Sequence, residues 1–177
     1  LDFYYFCYDN EAFSNTGFQM SSATPFGSKT NTSFPEKLNP EGTVQKKKDL
    51  FEIWRSHKPP YLATISPSHP VDLSNKFEKA SLYKGPKLFI AFSPCPPGWS
   101  FGTSKSVNIA KLAVQTGLLP LKEAVHGKVE HTIVPKFRPV EEYLKTQERY
   151  AHLFEPTTQV DIINTIQKDI DDYWKRY

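Results

Sequence analysis

Short apolar runs alternate with segments of helical periodicity along most of this chain. Apolar runs bounded by turn-forming residues predict strands, here at residues 3–8, 60–65 and 88–92. Helical spacing of apolar residues predicts helices at residues 49–55, 72–83 and 104–116. The first strand is predicted to be buried, and the run at residues 88–92 suits the centre of a sheet. Apolar strands that alternate with helices predict an α/β, doubly wound domain whose mainly parallel sheet is covered on both faces.

The final third of the chain has a less regular pattern. Residues 119–125 and 128–134 flank His126 and Gly127, which predicts a small hairpin. Two charged segments with helical patterns follow, at residues 140–153 and 160–177. We therefore expect a domain over residues 1–135 and a peripheral helical extension over residues 136–177.

Composition narrows the class of protein. A formal charge of +3 is too small to indicate a nucleic-acid partner, and no apolar run reaches the length of about 18 residues that suggests a membrane span. The two cysteines cannot form the disulfide framework of a small secreted domain, so they favour a reducing, cytoplasmic compartment. The chain starts with Leu1 instead of Met and within a predicted strand, so we expect an amino-terminal part to be missing.

A long loop follows the first predicted strand, and open parallel sheets bind ligands at such strand ends. Residues 9–19 of this loop, DNEAFSNTGFQ, are rich in amide and hydroxyl oxygens. Oxygen is the ligand that Mg²⁺ prefers, and the ion is often shared with a diphosphate. The Asn10 side chain and the Ala12 carbonyl could supply two ligands. Ordinary turn chemistry also explains a loop of this composition.

A second loop follows the strand predicted at residues 88–92. It carries Cys95 between Pro94 and Pro96, which fix the backbone on both sides of the thiol. A lone cysteine is usually a small buried hydrophobic residue, and a 4Fe–4S cluster normally needs four thiolates. The residues alone therefore favour a packing role for Cys95, and Cys7, inside a predicted strand, is also interpreted as core.

The order of residues in these loops resembles that of a known family. Residues 8–17, YDNEAFSNTG, together with Gln19 and SSATP at residues 21–25, closely resemble the thiamine-binding loop of pyruvate and related 2-oxoacid:ferredoxin oxidoreductases. The resemblance includes the CPPGW sequence at residues 95–99 and covers about residues 1–155. It implies the thiamine-diphosphate-binding fold.

The resemblance also implies a role for each loop residue. The cofactor-binding residues would be Asn10, Ala12, Asn15, Thr16, Gly17 and Gln19. Among these, Asn10 and the Ala12 carbonyl would bind Mg²⁺, and Asn15 would be the catalytic residue that orients the substrate beside thiamine diphosphate. Cys95 would be the fourth ligand of a 4Fe–4S cluster. Asp9 and Glu11 are predicted to be structural.

The implied function is that of one subunit of a larger enzyme. Such an enzyme oxidatively decarboxylates a 2-oxoacid, by default pyruvate, transfers the acyl group to coenzyme A and passes electrons through the cluster to ferredoxin. The family's Gly-Asp-Gly motif and three further cysteine ligands are absent from these residues, so either a preceding segment supplies them, which the intact second half favours, or the chain is a degenerate relative.

Two alternatives remain at this point. One is an iron-independent thiamine-dependent 2-oxoacid decarboxylase, which has no reason to place Cys95 between prolines. The other is a non-catalytic assembly subunit of the same fold, which has no use for a complete set of Asn10, Asn15 and Cys95.

Overall fold

The computed structural model describes all residues, 1–177, and contains one five-stranded sheet. Its strands are β1 (Phe3–Asp9), β2 (Tyr61–Ile65), β3 (Pro86–Phe92), β4 (Lys122–Val125) and β5 (Lys128–His131). They lie in the order β1–β3–β2–β4–β5. β3 pairs in parallel with β1 and β2, whereas β4 runs antiparallel to β2 and to β5. The sheet is therefore mixed and mostly parallel, as the pattern predicts for its first three strands.

Six α-helices accompany the sheet: α1 (Leu50–Ser56), α2 (Pro70–Ser81), α3 (Pro96–Trp99), α4 (Ser106–Gln115), α5 (Glu141–Leu144) and α6 (Val160–Trp174). Local chemistry explains several of their ends. Asp49 caps α1 by accepting the Glu52 amide at 3.0 Å. Pro70 begins α2, and Gly117, with φ +79°, follows the end of α4.

β1 lies at an edge of the sheet. Its prediction as a strand is confirmed, but its prediction as a buried strand is wrong, because Tyr5 is 50% exposed and Tyr8 is 74% exposed. An apolar, aromatic run cannot by itself distinguish a central strand from an edge strand. β3, predicted to be central, pairs on both sides. Its carboxyl end lies beside that of β1, with Asp9 opposite Phe92.

Helices cover both faces of the sheet, which confirms the predicted α/β architecture. α2 covers one face, where Ala80 packs with Tyr61 and Phe89. α1 covers the other face, where Phe51 packs with Leu62 and Ile90. The predicted hairpin is also confirmed: β4 and β5 are joined by His126 and Gly127, which both have positive φ.

The carboxy-terminal segment contributes to the largest core cluster. Ile163 and Ile166 of α6 pack in it with Ile109 of α4 and with Trp99. The helix predicted at residues 160–177 forms as α6 (Val160–Trp174), whereas residues 140–153 form only the short α5 and a 3₁₀ helix at Glu148–Leu153. None of the helices is both long and apolar enough to cross a bilayer.

Candidate functional site: the loops after β1 and β3

The loops that follow β1 and β3 meet at the carboxyl edge of the sheet. Because β1 and β3 are adjacent and parallel, the two chains leave the sheet side by side, and the Ser93 amide donates to the Asp9 carbonyl at 3.0 Å. The Trp99 indole Nε1 then donates to the Asn10 carbonyl at 3.1 Å. The structure thus brings the loop with Asn10 together with the loop that carries Cys95.

The loop after β1 is closed on itself. Phe13 and Gln19 exchange backbone hydrogen bonds of 3.0 and 3.2 Å. The Thr16 hydroxyl donates to Gln19 Oε1 at 2.5 Å, and Gln19 Nε2 donates to the Thr16 carbonyl at 2.6 Å. Gly17 has φ +109°, which an L-residue rarely adopts. Its carbonyl accepts a hydrogen bond from the side-chain amide of Asn31. Thr16, Gly17 and Gln19 are therefore held in one small turn.

A buried ion network supports the first residues of this loop. Glu11 is 3% exposed and has φ +64°, in the left-handed region. Lys47 Nζ lies 2.8 Å from Glu11 Oε1 and 2.6 Å from Asp9 Oδ2. Arg149 Nη2 lies 2.7 Å from Glu11 Oε2, and the Thr24 hydroxyl donates to the Glu11 carbonyl at 2.7 Å. Asp9 and Glu11 thus fix the backbone on either side of Asn10.

The charges of this network decide its protonation. Burial opposes ionisation of Glu11, but the charges of Lys47 and Arg149 outweigh it and lower the pKa of Glu11. Burial also opposes the charge of Lys47, yet Glu11 and Asp9 raise the pKa of Lys47 to about 12. Burial raises the pKa of Asp9, which has Lys47 as its cationic partner. We infer a charged Glu11–Lys47–Arg149 network at neutral pH.

Trp99 connects this network to the second loop. Its side chain is fully buried, and the Arg149 guanidinium lies 3.7 Å from the centre of a Trp99 ring. Arg149 also donates to the Tyr143 hydroxyl at 3.0 Å. One indole therefore contacts Arg149 with its face and the Asn10 carbonyl with its Nε1, so the two loops share a rigid support.

The donor atoms predicted for Mg²⁺ fit a hard cation. The Ala12 carbonyl accepts no hydrogen bond in the chain, and Asn10 Oδ1 accepts only the Ala12 amide at 3.3 Å, near the long end for such a bond. Both donors are oxygens, the type that Mg²⁺ prefers. The Asn15 side chain makes no hydrogen bond and is exposed. Asn10, Ala12 and Asn15 are thus free to contact a ligand.

Cys95 lies at the start of α3 and is half-buried. The Trp99 amide donates to the Cys95 carbonyl at 2.8 Å, while the thiol itself makes no hydrogen bond. A thiol without a partner fits a metal ligand, but the chain contains no group of three or more His, Cys, Asp or Glu side chains able to hold a metal. Cys95 could therefore serve as one ligand of a cluster whose other ligands lie outside this chain. Cys7 lies on β1, remote in sequence from this loop.

Gly98 allows close contact between the loops. A Cβ added at Gly98 would lie 2.5 Å from the Phe18 ring and 3.2 Å from Cys95 Sγ. Phe18 is buried and precedes Gln19, so the loop after β1 packs directly against the cysteine loop at this point. The absence of a side chain at position 98 is required for that packing.

Replacement of Gly98 by Ala is therefore expected to destabilise the protein by about 1–3 kcal/mol, because the added methyl group would overlap the buried Phe18 ring. Urea unfolding of the complete protein would measure the change. Gly102, where an added Cβ has no neighbour within 4 Å, provides the matched control, and G102A should change stability much less. Equal effects of the two substitutions would contradict the proposed contact.

Sequence reasoning missed several residues of this site. Lys47, Trp99 and Arg149 hold the two loops in place, although none was assigned such a role. Arg149 is 138 positions from its partner Glu11 along the chain, so no local spacing signals the pair. The sequence signals are the run of lysines at residues 46–48, which a solvated helix start also explains, and the CPPGW sequence that contains Trp99.

Similarity to curated proteins extends over nearly the whole chain. The chain is 44% identical over 171 residues to pyruvate synthase subunit PorB of Methanosarcina barkeri, covering 96% of this chain and 57% of that protein. It is 42% identical over 173 residues to PorB of Thermotoga maritima, covering 97% and 53%. It is 41% identical over 178 residues to ketoisovalerate oxidoreductase subunit VorB of Pyrococcus furiosus, covering 99% and 55%.

No protein-family model matches the chain. The fold is similar to a solved 2-oxoglutarate:ferredoxin oxidoreductase from Magnetococcus marinus, with 20% identity, a TM-score of 0.47, and coverage of 62% of this chain and 35% of that one.

The chain spans a little over half the length of the curated relatives it matches. The matched region covers 96–99% of this chain. The resemblance to 2-oxoacid:ferredoxin oxidoreductases is thereby confirmed: this chain is a homologue of their PorB and VorB subunits over nearly all of its length.

Proposed function

We propose that this chain is part of a CoA-acylating 2-oxoacid:ferredoxin oxidoreductase, with pyruvate as the default substrate. The proposal is supported by the contact between the loops after β1 and β3, where Trp99 Nε1 donates to the Asn10 carbonyl at 3.1 Å. That contact joins the loop with the Asn10 and Ala12 oxygens to the loop that carries Cys95. Homology to PorB and VorB subunits agrees with this combination.

The cofactors of the proposed enzyme are thiamine diphosphate, Mg²⁺ and a 4Fe–4S cluster. When bound, they would supply the carbon chemistry, the charge neutralisation of the diphosphate and a path for electrons. Asn10 and the Ala12 carbonyl would hold Mg²⁺, and Thr16, Gly17 and Gln19 would line the thiamine site. Cys95 would provide one thiolate to the cluster.

The chain's own residues position the reactants. The side chain of Asn15 is exposed and free of internal hydrogen bonds, so it can donate to the carboxylate or 2-oxo group of the substrate. The Glu11–Lys47–Arg149 network holds the backbone that precedes it. No side chain of the two loops is arranged as a proton acceptor, because Asp9 and Glu11 are both engaged with Lys47.

The remaining components would come from outside this chain. We propose that other subunits of the complex, coenzyme A and ferredoxin or a similar acceptor are its partners, without nucleic acid or membrane involvement. The proposed location is the cytoplasm, since both cysteines are free. Residues 1–135 would form the thiamine-binding part, with residues 136–177 as its helical extension.

Replacement of Asn10 by Ala is expected to weaken Mg²⁺-dependent binding of thiamine diphosphate to the complete enzyme by at least about 10- to 100-fold. Removal of a residue that only supports a metal ligand typically lowers affinity by this factor, and removal of a direct ligand should lower it at least as much. Titration of tryptophan fluorescence with the cofactor at fixed Mg²⁺ would measure this change.

Asn108→Ala provides the matched control, because Asn108 is exposed on α4, outside both loops. This variant should bind the cofactor as the wild-type enzyme does. Unchanged cofactor affinity in N10A would contradict the magnesium assignment and favour an assembly subunit without a working site.

A further inference from the structure

A cavity of about 590 Å³ lies between the sheet, the loop after β1 and α6. Asp9 and Glu11 line one end, where their carboxylates pair with Lys47. Lys122, at the start of β4, lines the cavity together with Phe51 of α1 and Tyr173 of α6. The Lys122 end has no role in the function proposed above.

The side chain of Lys122 lies in the wall of the cavity without a polar partner in this chain. The residue is 4% exposed, and its ammonium makes no ion pair and no hydrogen bond within the chain. Its neighbours are two aromatic faces: Nζ lies 4.3 Å from the centre of the Phe51 ring and 5.2 Å from that of Tyr173. Cation–π contacts of this kind only partly replace the solvation of an ammonium group.

The acidic residues of the cavity are engaged elsewhere. The Asp49 side chain accepts the Glu52 amide and caps α1. Asp169 pairs with Lys46 at 2.7 Å, and Asp172 pairs with Lys175 at 3.1 Å. Each of these carboxylates thus has a partner, whereas Lys122 has none. This imbalance is local, because acidic and basic residues are equally numerous around the whole cavity.

Burial of an unpaired cation is costly, and proteins normally pair such a charge or hydrogen-bond it. Burial accordingly lowers the pKa of Lys122, although Asp49 and Glu52 oppose that shift at longer range. An anion in the cavity would give Lys122 a hydrogen-bonding partner. The surrounding Phe51, Leu119, Pro120 and Ile170 offer an apolar wall to the rest of such a ligand.

We propose that this cavity binds a small monocarboxylate with an apolar body, whose carboxylate pairs with Lys122 between Phe51 and Tyr173. A single free buried cation matches a single negative charge, and the apolar lining matches an aliphatic or aromatic body. The proposal does not depend on the catalytic function, because the Lys122 end of the cavity is distinct from Asn10, Asn15 and Cys95.

Calorimetric titration of the complete protein with sodium hexanoate tests this site. The wild-type protein is expected to bind one hexanoate per chain, and Lys122→Met is expected to bind at least about tenfold more weakly, as loss of a hydrogen bond to a charged group implies. Lys128→Met, on the exposed neighbouring strand and outside the cavity, is the matched control and should bind as the wild type does.

The stability of K122M separates binding from folding. Because the substitution keeps much of the side-chain volume and removes a buried charge, it should leave the thermal midpoint unchanged or higher. Absence of saturable hexanoate binding to the wild-type protein would overturn the proposal. Equal binding by K122M, or an acidic side chain from elsewhere in the complete protein seated at Lys122, would overturn it as well.

Discussion

Replacement of Cys95 by Ser in the complete assembly is expected to lower ferredoxin reduction by at least about 100-fold. A hard hydroxyl is a poor substitute for a thiolate as a ligand of iron. The loss of activity should therefore equal or exceed the loss caused by removing a residue that only supports a metal ligand. The Cys95 thiol makes no hydrogen bond, and the contacts of its loop with the loop after β1 include those of Trp99 with Asn10 and of Gly98 with Phe18, so cofactor binding at Asn10 should persist. Iron content, the visible spectrum and reduction of ferredoxin by the 2-oxoacid would measure these effects.

Cys7→Ser is the matched control, since Cys7 lies half-buried on β1 and has no proposed ligand role. C7S should keep the iron content and the electron-transfer rate of the wild-type enzyme. A C95S enzyme with full iron content and full ferredoxin reduction would exclude Cys95 as a cluster ligand. The iron-independent decarboxylase would then be the better account.

Replacement of Arg149 by Met is expected to destabilise the protein by about 3 kcal/mol, near the lower end of the range for breaking a buried ion pair. Arg149 and Glu11 have side chains that are 1% and 4% exposed, so the substitution leaves the Glu11 carboxylate buried with Lys47 alone. The substitution also removes the guanidinium that stacks on Trp99. Urea unfolding of the complete protein at pH 7 would measure the loss.

Arg138→Met provides a surface control. Arg138 pairs with Glu142, and the two side chains are 43% and 37% exposed, so its loss should cost no more than about 1 kcal/mol. If R149M and R138M change stability equally, the buried network does not support the site in the way proposed.

The effect of R149M on stability should depend on pH. Because Arg149 and Lys47 lower the folded-state pKa of Glu11, its ionisation contributes stability above the ordinary pKa of 4.5, and this contribution is lost as the pH falls through the lowered value. R149M removes part of that contribution. The difference in unfolding free energy between wild type and R149M should therefore narrow below about pH 4.5. A difference that stays constant down to pH 3 would argue for a loss of packing alone.

Local pattern was sufficient for most of the fold. The runs at residues 60–65 and 88–92 form strands close to their predicted bounds, and the helix predicted at residues 104–116 forms as α4 (Ser106–Gln115). The positive φ of both His126 and Gly127 matches the hairpin predicted around them. These strand, helix and hairpin predictions depend on residues close together in sequence, where periodicity and turn chemistry indicate the local structure.

Long-range features were not predictable in the same way. The exposure of β1 depends on which strands lie beside it, and this is not recorded in its own aromatic sequence. The pairing of Arg149 with Glu11 and the insertion of Trp99 between Arg149 and Asn10 are likewise tertiary. The resemblance to a known family supplied the roles of Asn10, Asn15 and Cys95, which composition alone would have left as turn and core residues.

The central claim is that the loops after β1 and β3 join a thiamine–magnesium site to an iron–sulfur cluster. Anomalous scattering at the iron edge, from crystals of the complete assembly grown without oxygen, tests it most directly. The account predicts an iron peak at bonding distance, about 2.3 Å, from Cys95 Sγ, with thiamine diphosphate and Mg²⁺ at Asn10 and Ala12. An active assembly with no iron near Cys95 would contradict it.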